Sequence, residues 1–442
     1  MLETIQTFIA NNAVMLSASV LILAYIFIAL ERIPKVTIAL IGAVVVILLN
    51  LVSQTKTVDG AINPHYYINF VDFNVIFLLV SMMIIVAITT RSGIFNWLAN
   101  ELLKFTKGRP VKILFMLGIF TAVVSALIDN VTTVILILPI TFAIVKKLDI
   151  NPIPYLIVEV FASNIGGTAT LIGDPPNIII GSAAGFSFMD FINELTGIVA
   201  IILLAVIFAM YLLFRKKLTT TEEKMKSVME IDNSKTIEDK PLMIRSLLVL
   251  VLVIAGFVLH DKLHLETSTV AMIGACALLL FEKPTEILRD VEWNAIFFFI
   301  GLFIIIGALE ASGGIKLMAQ WLIDVTQGSK AMTCGLVLWI SGIASGIIDN
   351  IPYTATMAPL IAEIQRELGA AYAYPIWWCL SLGACLGGNL TIIGAAANVY
   401  VSENAANKGY PIGFLYFMKY GAICVLISLV LSSAYIYLRF LR

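Results

Sequence analysis

Along the chain, apolar runs long enough to cross a bilayer alternate with short polar connections. A helix needs about 20 mostly apolar residues to cross the hydrocarbon. Runs of that kind fall near 13–30, 35–52, 73–90, 196–214, 244–260, 267–281, 294–310 and 413–438. Two further apolar segments, 153–185 and 373–402, are broken by glycine. Two more, 112–147 and 331–366, are too long for one crossing and carry Asp129-Asn130 and Asp349-Asn350 near their middles. A charge at the bilayer centre costs roughly 2.5–3.5 kcal/mol even on a lenient insertion scale. Those acidic pairs need a reason to be there.

Lys and Arg orient the spans, because short cytoplasmic loops collect them. Arg32 and Lys35 follow the first span. Arg91, Lys104, Lys107, Arg109 and Lys112 precede segment 112–147, Lys146 and Lys147 follow it, and Arg215, Lys216 and Lys217 open a charged stretch. All of these share one side only if 112–147 enters and leaves on that side, as a re-entrant hairpin with Asp129-Asn130 at its tip. A second hairpin at 331–366 then gives ten spans and two hairpins, with most of the 28 Lys and Arg on the cytoplasmic side.

The two halves are related. "SALIDN" (125–130) aligns with "SGIIDN" (345–350) at an offset of 220, and Pro139 with Pro359. "DFN" (72–74) meets "EWN" (292–294) at the same offset. "GGTATLIGDPPN" (166–177) aligns with "GGNLTIIGAAAN" (387–398) at 221, with six of twelve positions identical. Each half holds five spans and one hairpin, and five is odd, so the second half enters from the opposite face. The expected architecture is an all-α polytopic membrane protein built as an inverted repeat: residues 1–214, a cytoplasmic charged linker 215–243, and residues 244–442. Inverted repeats of this kind belong to secondary transporters with a site near the midplane.

Composition agrees with a membrane protein. The chain has 442 residues, 60% of them hydrophobic and 13% charged, with mean hydropathy +0.98. Soluble chains are nearer 45–50% apolar and about 25% charged. A net charge of −1 gives no support for a nucleic-acid partner. No signal-peptide pattern opens the chain, so Met1 is expected to begin the mature protein. Cys276, Cys334, Cys379, Cys385 and Cys424 lack CxxC spacing and read as small buried hydrophobes. His65, His260 and His264 fall in expected loops, which argues against a His-metal enzyme, and no nucleophile–base set appears. The linker, with "TTTEEKMK", reads as a solvated tether.

Irregular backbone survives at membrane depth only inside protein or beside a watery cavity. Four such places are expected: the tips at 129–134 and 349–354, and the breaks at 166–177 and 387–398. Broken helices free backbone carbonyls and amides, and half-helix N-termini offer partial positive charge. The candidate ligands in the first half are Asp129, Asn130, Thr132, Thr133, Gly166, Gly167, Thr168, Thr170 and Asn177. In the second half they are Asp349, Asn350, Thr354, Thr356, Gly387, Gly388, Asn389, Thr391 and Asn398. Asp174 has no counterpart, since Ala395 stands at its matching position; it reads as a helix cap, a ligand or a proton carrier. Glu159 lies in an apolar helix before the first break, and Glu310 at a span end. The glycines are no nucleotide loop, because no Lys-Ser/Thr follows. Two acids at opposing tips suit a cation, a proton or a neutral solute better than a dianion, unless Na+ or protons neutralise them.

"LIDNVTTVILILP", "EVFASNIGGTATLIGDPPNIIIGS", "IIDNIPYTATMAP" and "LGACLGGNLTIIGAAANV" resemble the ion transporter superfamily, in its group of arsenite permeases, NhaD-type Na+/H+ antiporters and P-protein-like transporters. The resemblance covers essentially the whole chain. It implies an elevator mechanism, with a dimerising scaffold and a transport domain holding both hairpins and both broken helices. It also implies Na+ at Ser-Asn-Thr tips, of which Asn130, Asn350 and Thr132 carry over here. Asp in place of Ser favours proton exchange, or a Na+ site with a charged ligand, over Na+/dicarboxylate or citrate symport. The expected function is ion-coupled movement of a small inorganic ion or oxyanion through a cell membrane, without a cofactor and with H+ or Na+ as coupling ion. A Na+(Li+)/H+ antiporter is the alternative; an anion channel is less favoured. A homodimer is expected, and the resemblance leaves an ATPase partner open.

Overall fold

The computed structural model describes residues 7–9, 11–30, 32–52, 57–58, 61–62, 67–229 and 236–442. These form a membrane-embedded helical assembly, and eight helices are long and apolar enough to span a bilayer. The one strand pairing among the described residues is a two-residue antiparallel pair, Thr57↔Ile62 and Val58↔Ala61. His65 lies outside the described residues.

The first half runs through α1 (Ala13–Leu30), α2 (Lys35–Leu48), α3 (Phe73–Arg91), α4 (Ile94–Thr106), α5 (Pro110–Ser125), α6 (Asn130–Leu148), α7 (Ile153–Gly167), α8 (Pro175–Ala184) and α9 (Phe188–Phe214). After the linker helix α10 (Glu222–Met229), the same series recurs. It comprises α11 (Lys240–Leu263), α12 (Thr267–Leu279), α13 (Trp293–Ala311), α14 (Gly314–Val325), α15 (Lys330–Ile348), α16 (Asn350–Leu368), α17 (Ala370–Gly387), α18 (Ala396–Asn407) and α19 (Phe414–Ile436). Both over-long segments therefore split at their Asp-Asn pairs, and both glycine-containing segments break where expected.

Local chemistry sets these boundaries. Asp129 and Asp349 precede α6 and α16 and accept backbone N–H groups from Thr132 (2.9 Å) and Ile351 (3.1 Å). Each thereby satisfies a donor that the helix start leaves unpaired. Pro175 and Pro176 open α8, where a missing N–H is harmless. Asp174 before them is extended, as a residue preceding proline must be.

Several helices pack at glycine-width separation. A Cβ on Gly166 would meet the Ala122 backbone at 2.2 Å, and one on Gly387 would meet the Gly342 backbone at 2.4 Å. Those contacts seat α7 on α5 and α17 on α15. A second matched pair places Gly42 of α2 against Ile305 of α13, and Gly274 of α12 against Ile85 of α3.

The structure departs from expectation in five places. α9 begins at Phe188, not 196, because Ser187 and Asp190 form a reciprocal capping box. The expected spans 35–52 and 267–281 are helices of only 14 and 13 residues. Residues 94–106 and 314–325 are amphipathic helices, not plain polar connections; in α14, Ile315, Ala319 and Leu322 are buried while Lys316, Gln320 and Asp324 are exposed. His260 lies in the last turn of α11 rather than in a loop, and Cys276 is exposed while the other four cysteines are buried.

The fifth departure is the linker. Its described part folds back on the first half: Lys224 pairs with Asp149 at 2.7 Å, Thr220 donates to the Leu148 carbonyl, and Glu238 N donates to the Ser92 carbonyl. Lys224 holds the exposed Asp149 carboxyl below the usual carboxylate range. Gly108, with φ +67°, lies against the backbone of Met225, where a side chain would not fit.

Candidate ion-coupling site

The N-termini of α6 and α16 approach the two breaks from opposite sequence halves, and a buried polar cluster forms where they meet. At its centre is Asp174, fully buried. Asn130 donates Nδ2–H to Asp174 Oδ1 at 3.3 Å, and Asn350 donates to Oδ1 and Oδ2 at 3.3 and 3.2 Å. Among the described residues, no Lys or Arg forms an ion pair with Asp174. Asp174, an acid without a counterpart in the second half, is thus the group on which both matched asparagines converge.

A second layer holds these groups. Asn130 also donates to Asn164 Oδ1 (3.1 Å), and Asn164 donates to Asn389 (2.8 Å) and Asn398 (2.9 Å). Asn177 Nδ2 donates to the Thr168 and Thr170 carbonyls at 3.0 and 2.8 Å, and Asn398 Nδ2 to the Gly388 and Thr391 carbonyls, both at 2.8 Å. These two asparagines close their breaks in the same way. The Thr170 and Thr391 hydroxyls donate to the Ala126 and Gly346 carbonyls, each at 2.6 Å, tying each break to its neighbouring Asp-Asn junction. Asn389 Nδ2 is buried and has no partner among the described residues.

Not every candidate reaches this cluster. Thr133, Thr168 and Thr354 donate to carbonyls one turn back in their own chain, those of Asp129, Asn164 and Asn350. Thr132 supplies its backbone N–H to the Asp129 cap. Gly166 and Gly387 serve close packing, and Gly167 and Gly388 face the carbonyls of Gly173 and Gly394. Glu159 is buried away from the cluster, hydrogen-bonded to Thr141, with its Oε2 unpartnered. Glu310 is exposed, one residue before the end of α13.

The two acidic caps differ from each other. Asp349 Oδ2 forms an ion pair with Lys35 Nζ at 2.6 Å, and Asp349 is 3% exposed. Its backbone sits at φ +105°, ψ +135°, a region that costs a non-glycine residue roughly 1–3 kcal/mol. Asp129, at the matching position, has φ −57°, ψ +155° and pairs with no basic group among the described residues. The acids Glu292, just before α13, and Asp174 lie within its electrostatic reach.

Sequence reasoning did not assign Asn164 or Lys35 to the site. Asn164 lies in "ASNIGG", two residues before a break glycine, and its matching position is Cys385, so the repeat gives no signal there. Lys35 reads as one more cytoplasmic charge. A cavity of about 470 Å³, lined in part by Asn74, Ser182, His260, Glu266 and Thr267, reaches Leu171 of the first break.

The chain is similar over most of its length to membrane transporters. The family model described as citrate transporter (CitMHS) matches residues 25–383. An uncharacterized transporter of Mycobacterium tuberculosis is 42% identical over 96% of this chain and 98% of its own length. The mouse P protein is 29% identical over 97% of this chain, which spans 60% of that protein. The crystal structure of the Alcanivorax borkumensis YdaH transporter matches 97% of this chain and 98% of its own, with TM-score 0.56 and 13% identity, a likeness of fold. On the family match and the full-length relatives together, the chain belongs to the citrate transporter family of the ion transporter superfamily.

Proposed function

We propose that this protein is an ion-coupled secondary active transporter of a small inorganic ion or oxyanion, working in a cell membrane by an elevator motion. In this reading α5–α8 and α15–α18 form the moving unit, and the remaining spans form a scaffold that dimerises, with the halves inserted in opposite orientations. One observation carries the proposal: Asn130 and Asn350, at the starts of two sequence-related helices, meet on the buried Asp174 carboxylate.

A buried carboxylate without a cationic partner is penalised by several kcal/mol. Asp174 is therefore stable only when a proton or a metal cation neutralises it. Transport follows if the moving unit crosses the membrane only in that neutralised state, since an ionised Asp174 would have to be carried through a low-dielectric region. Asn130 and Asn350 hold and orient the carboxylate, and Asn164 sets Asn130. The unpartnered Asn389 Nδ2 suits a ligand oxygen, so an oxyanion fits as its protonated, uncharged form. Citrate and other multiply charged anions fit less well, because no basic side chain among the described residues is hydrogen-bonded within the cluster.

The second reading is a Na+(Li+)/H+ antiporter. It is favoured by the acid, amide oxygens and freed carbonyls, which are ligands for a hard cation, with Na+ held at the Asn130 and Asn350 tips. Inverted vesicles containing the protein separate the two. Dequenching of a pH dye on adding Na+ or Li+ supports antiport; uptake of arsenite or antimonite driven by a proton or Na+ gradient supports the first reading. Flux without coupling, seen by electrophysiology at channel rates, would refute both.

A further inference from the structure

Lys35 and Asp349 make a contact that the coupling site does not itself require. Lys35 is the first residue of α2, on the scaffold side, and Asp349 begins α16 in the moving unit. Their 2.6 Å ion pair leaves the Asp349 side chain 4% exposed and that of Lys35 26% exposed. The same junction is held again by Tyr25 of α1, which donates to the Pro352 carbonyl at 2.6 Å and hydrogen-bonds Thr356. Contacts from α1 and α2 therefore converge on the first two turns of α16, next to an Asp held in strained backbone.

The matching junction lacks this arrangement. "TIALIGA" (37–43) in α2 aligns with "TVAMIGA" (269–275) in α12, and the packing agrees: Gly42 meets Ile305, while Gly274 meets Ile85. Ile305 and Ile85 are themselves matched at the offset of 220. This alignment places Thr267 where Lys35 stands. Asp129 has no such cation among the described residues, and the acidic Glu292 lies within its electrostatic reach. Among the described residues, one acidic tip has an internal cation and the other has none.

We propose that Lys35 is a built-in counter-ion for Asp349, neutralising it while the tip is docked on α1 and α2 and giving way when a transported Na+ or Li+ takes its place. The inference rests on the reading of the Asp-Asn junctions as ion-binding tips of a moving unit. An ammonium on a flexible four-carbon stem suits exchange, since it is a single point charge that can swing aside. Displaced from Asp349, it meets water through a side chain already part-exposed. Docking and cation occupancy then exclude each other at this tip, so ion binding loosens the moving unit from the scaffold. The same exclusion is absent at Asp129, which makes the two ends of the stroke energetically unequal. Lys35 acts here as a positioning residue, through Asp349.

The test is a cation titration of the full-length protein in detergent, at fixed pH and at ionic strength balanced with choline, reading thermal stabilisation by Na+ and by Li+. Lys35→Met removes the internal competitor and is expected to lower the half-saturating concentration about tenfold, a coupling of ordinary allosteric size. Lys35→Arg keeps the charge and should stay within about twofold of the unmodified protein. In an Asp349→Asn background, Lys35→Met should have no effect. An unchanged midpoint in Lys35→Met, or an equal shift with and without Asp349, would overturn the proposal. Indifference of the unmodified protein to both cations would also overturn it, and would leave proton-coupled transport standing. Should Lys35→Met fail to fold, the exchange Lys35→Asp with Asp349→Lys is expected to fold and to lose the cation response; retention of the response would overturn the proposal.

Discussion

Asp129 and Asp349 occupy matching places in the two halves, and each accepts a backbone N–H from the helix it starts. Asp129 sits in relaxed extended backbone, beside another acid. Asp349 sits in strained backbone, with one carboxylate oxygen on the helix and the other on Lys35. Equivalence in sequence therefore fixes the capping role and leaves the electrostatic role open. At the two tips the halves differ in one ion pair and one backbone torsion.

That contrast can be broken experimentally, and the largest effect is expected at the ion pair itself. Asp349→Ala removes a helix cap and a charge-assisted hydrogen bond together and should lower stability by about 2–4 kcal/mol, whereas Asp129→Ala removes only a helix cap, worth about 1 kcal/mol. Thermal melting in detergent measures both, and equal losses would erase the distinction. Next come the positions where the halves should behave alike. Gly166→Val and Gly387→Val each push a side chain into a neighbouring helix backbone, and each should cost about 1–3 kcal/mol or more, to a similar extent.

A smaller effect isolates strain from charge. Asp349→Gly tolerates φ +105° and should be more stable than Asp349→Ala by about 1–2 kcal/mol, while Asp129→Gly should show no such advantage over Asp129→Ala. The smallest effect concerns the linker. The Asp149 carboxyl is held below its ordinary range by Lys224, so this contact stabilises the fold above that range and is lost as pH falls through the lowered value. The melting temperature of the unmodified protein should therefore drop slightly more on acidification than that of Lys224→Gln. A parallel pH dependence in the two would show that the linker contact contributes nothing.

Much of this architecture was legible in the chain because apolar length and helix-breaking residues are local signals. Segments 112–147 and 331–366 announced their splits through Asp-Asn, and the breaks through glycine and the Pro175-Pro176 pair. The amphipathic helices α4 and α14 were hidden because their charged faces resemble loop composition. The correspondence of α2 with α12 was hidden by a change of register: the connection from Leu48 to Phe73 is longer than that from Leu279 to Trp293. With it was hidden the fact that Lys35 has no basic counterpart. The candidate site was legible as a set of residues and not as a geometry. Which asparagine meets which acid depends on packing between halves that lie more than 170 residues apart in sequence. Asn164 could not be distinguished from any polar residue in an apolar helix.

The central claim is that Asp174 carries the coupling charge at the meeting point of the two tips. Its most direct test is ion-driven flux in proteoliposomes for Asp174→Asn, compared with the unmodified protein at matched protein density and with folding checked by melting temperature. An amide of the same shape can still accept from both asparagines at its one oxygen but cannot be ionised. We predict that coupled flux falls by at least about a hundredfold, a loss of about 3 kcal/mol. Unchanged rate and unchanged dependence on pH and Na+ in a folded Asp174→Asn protein would contradict the account.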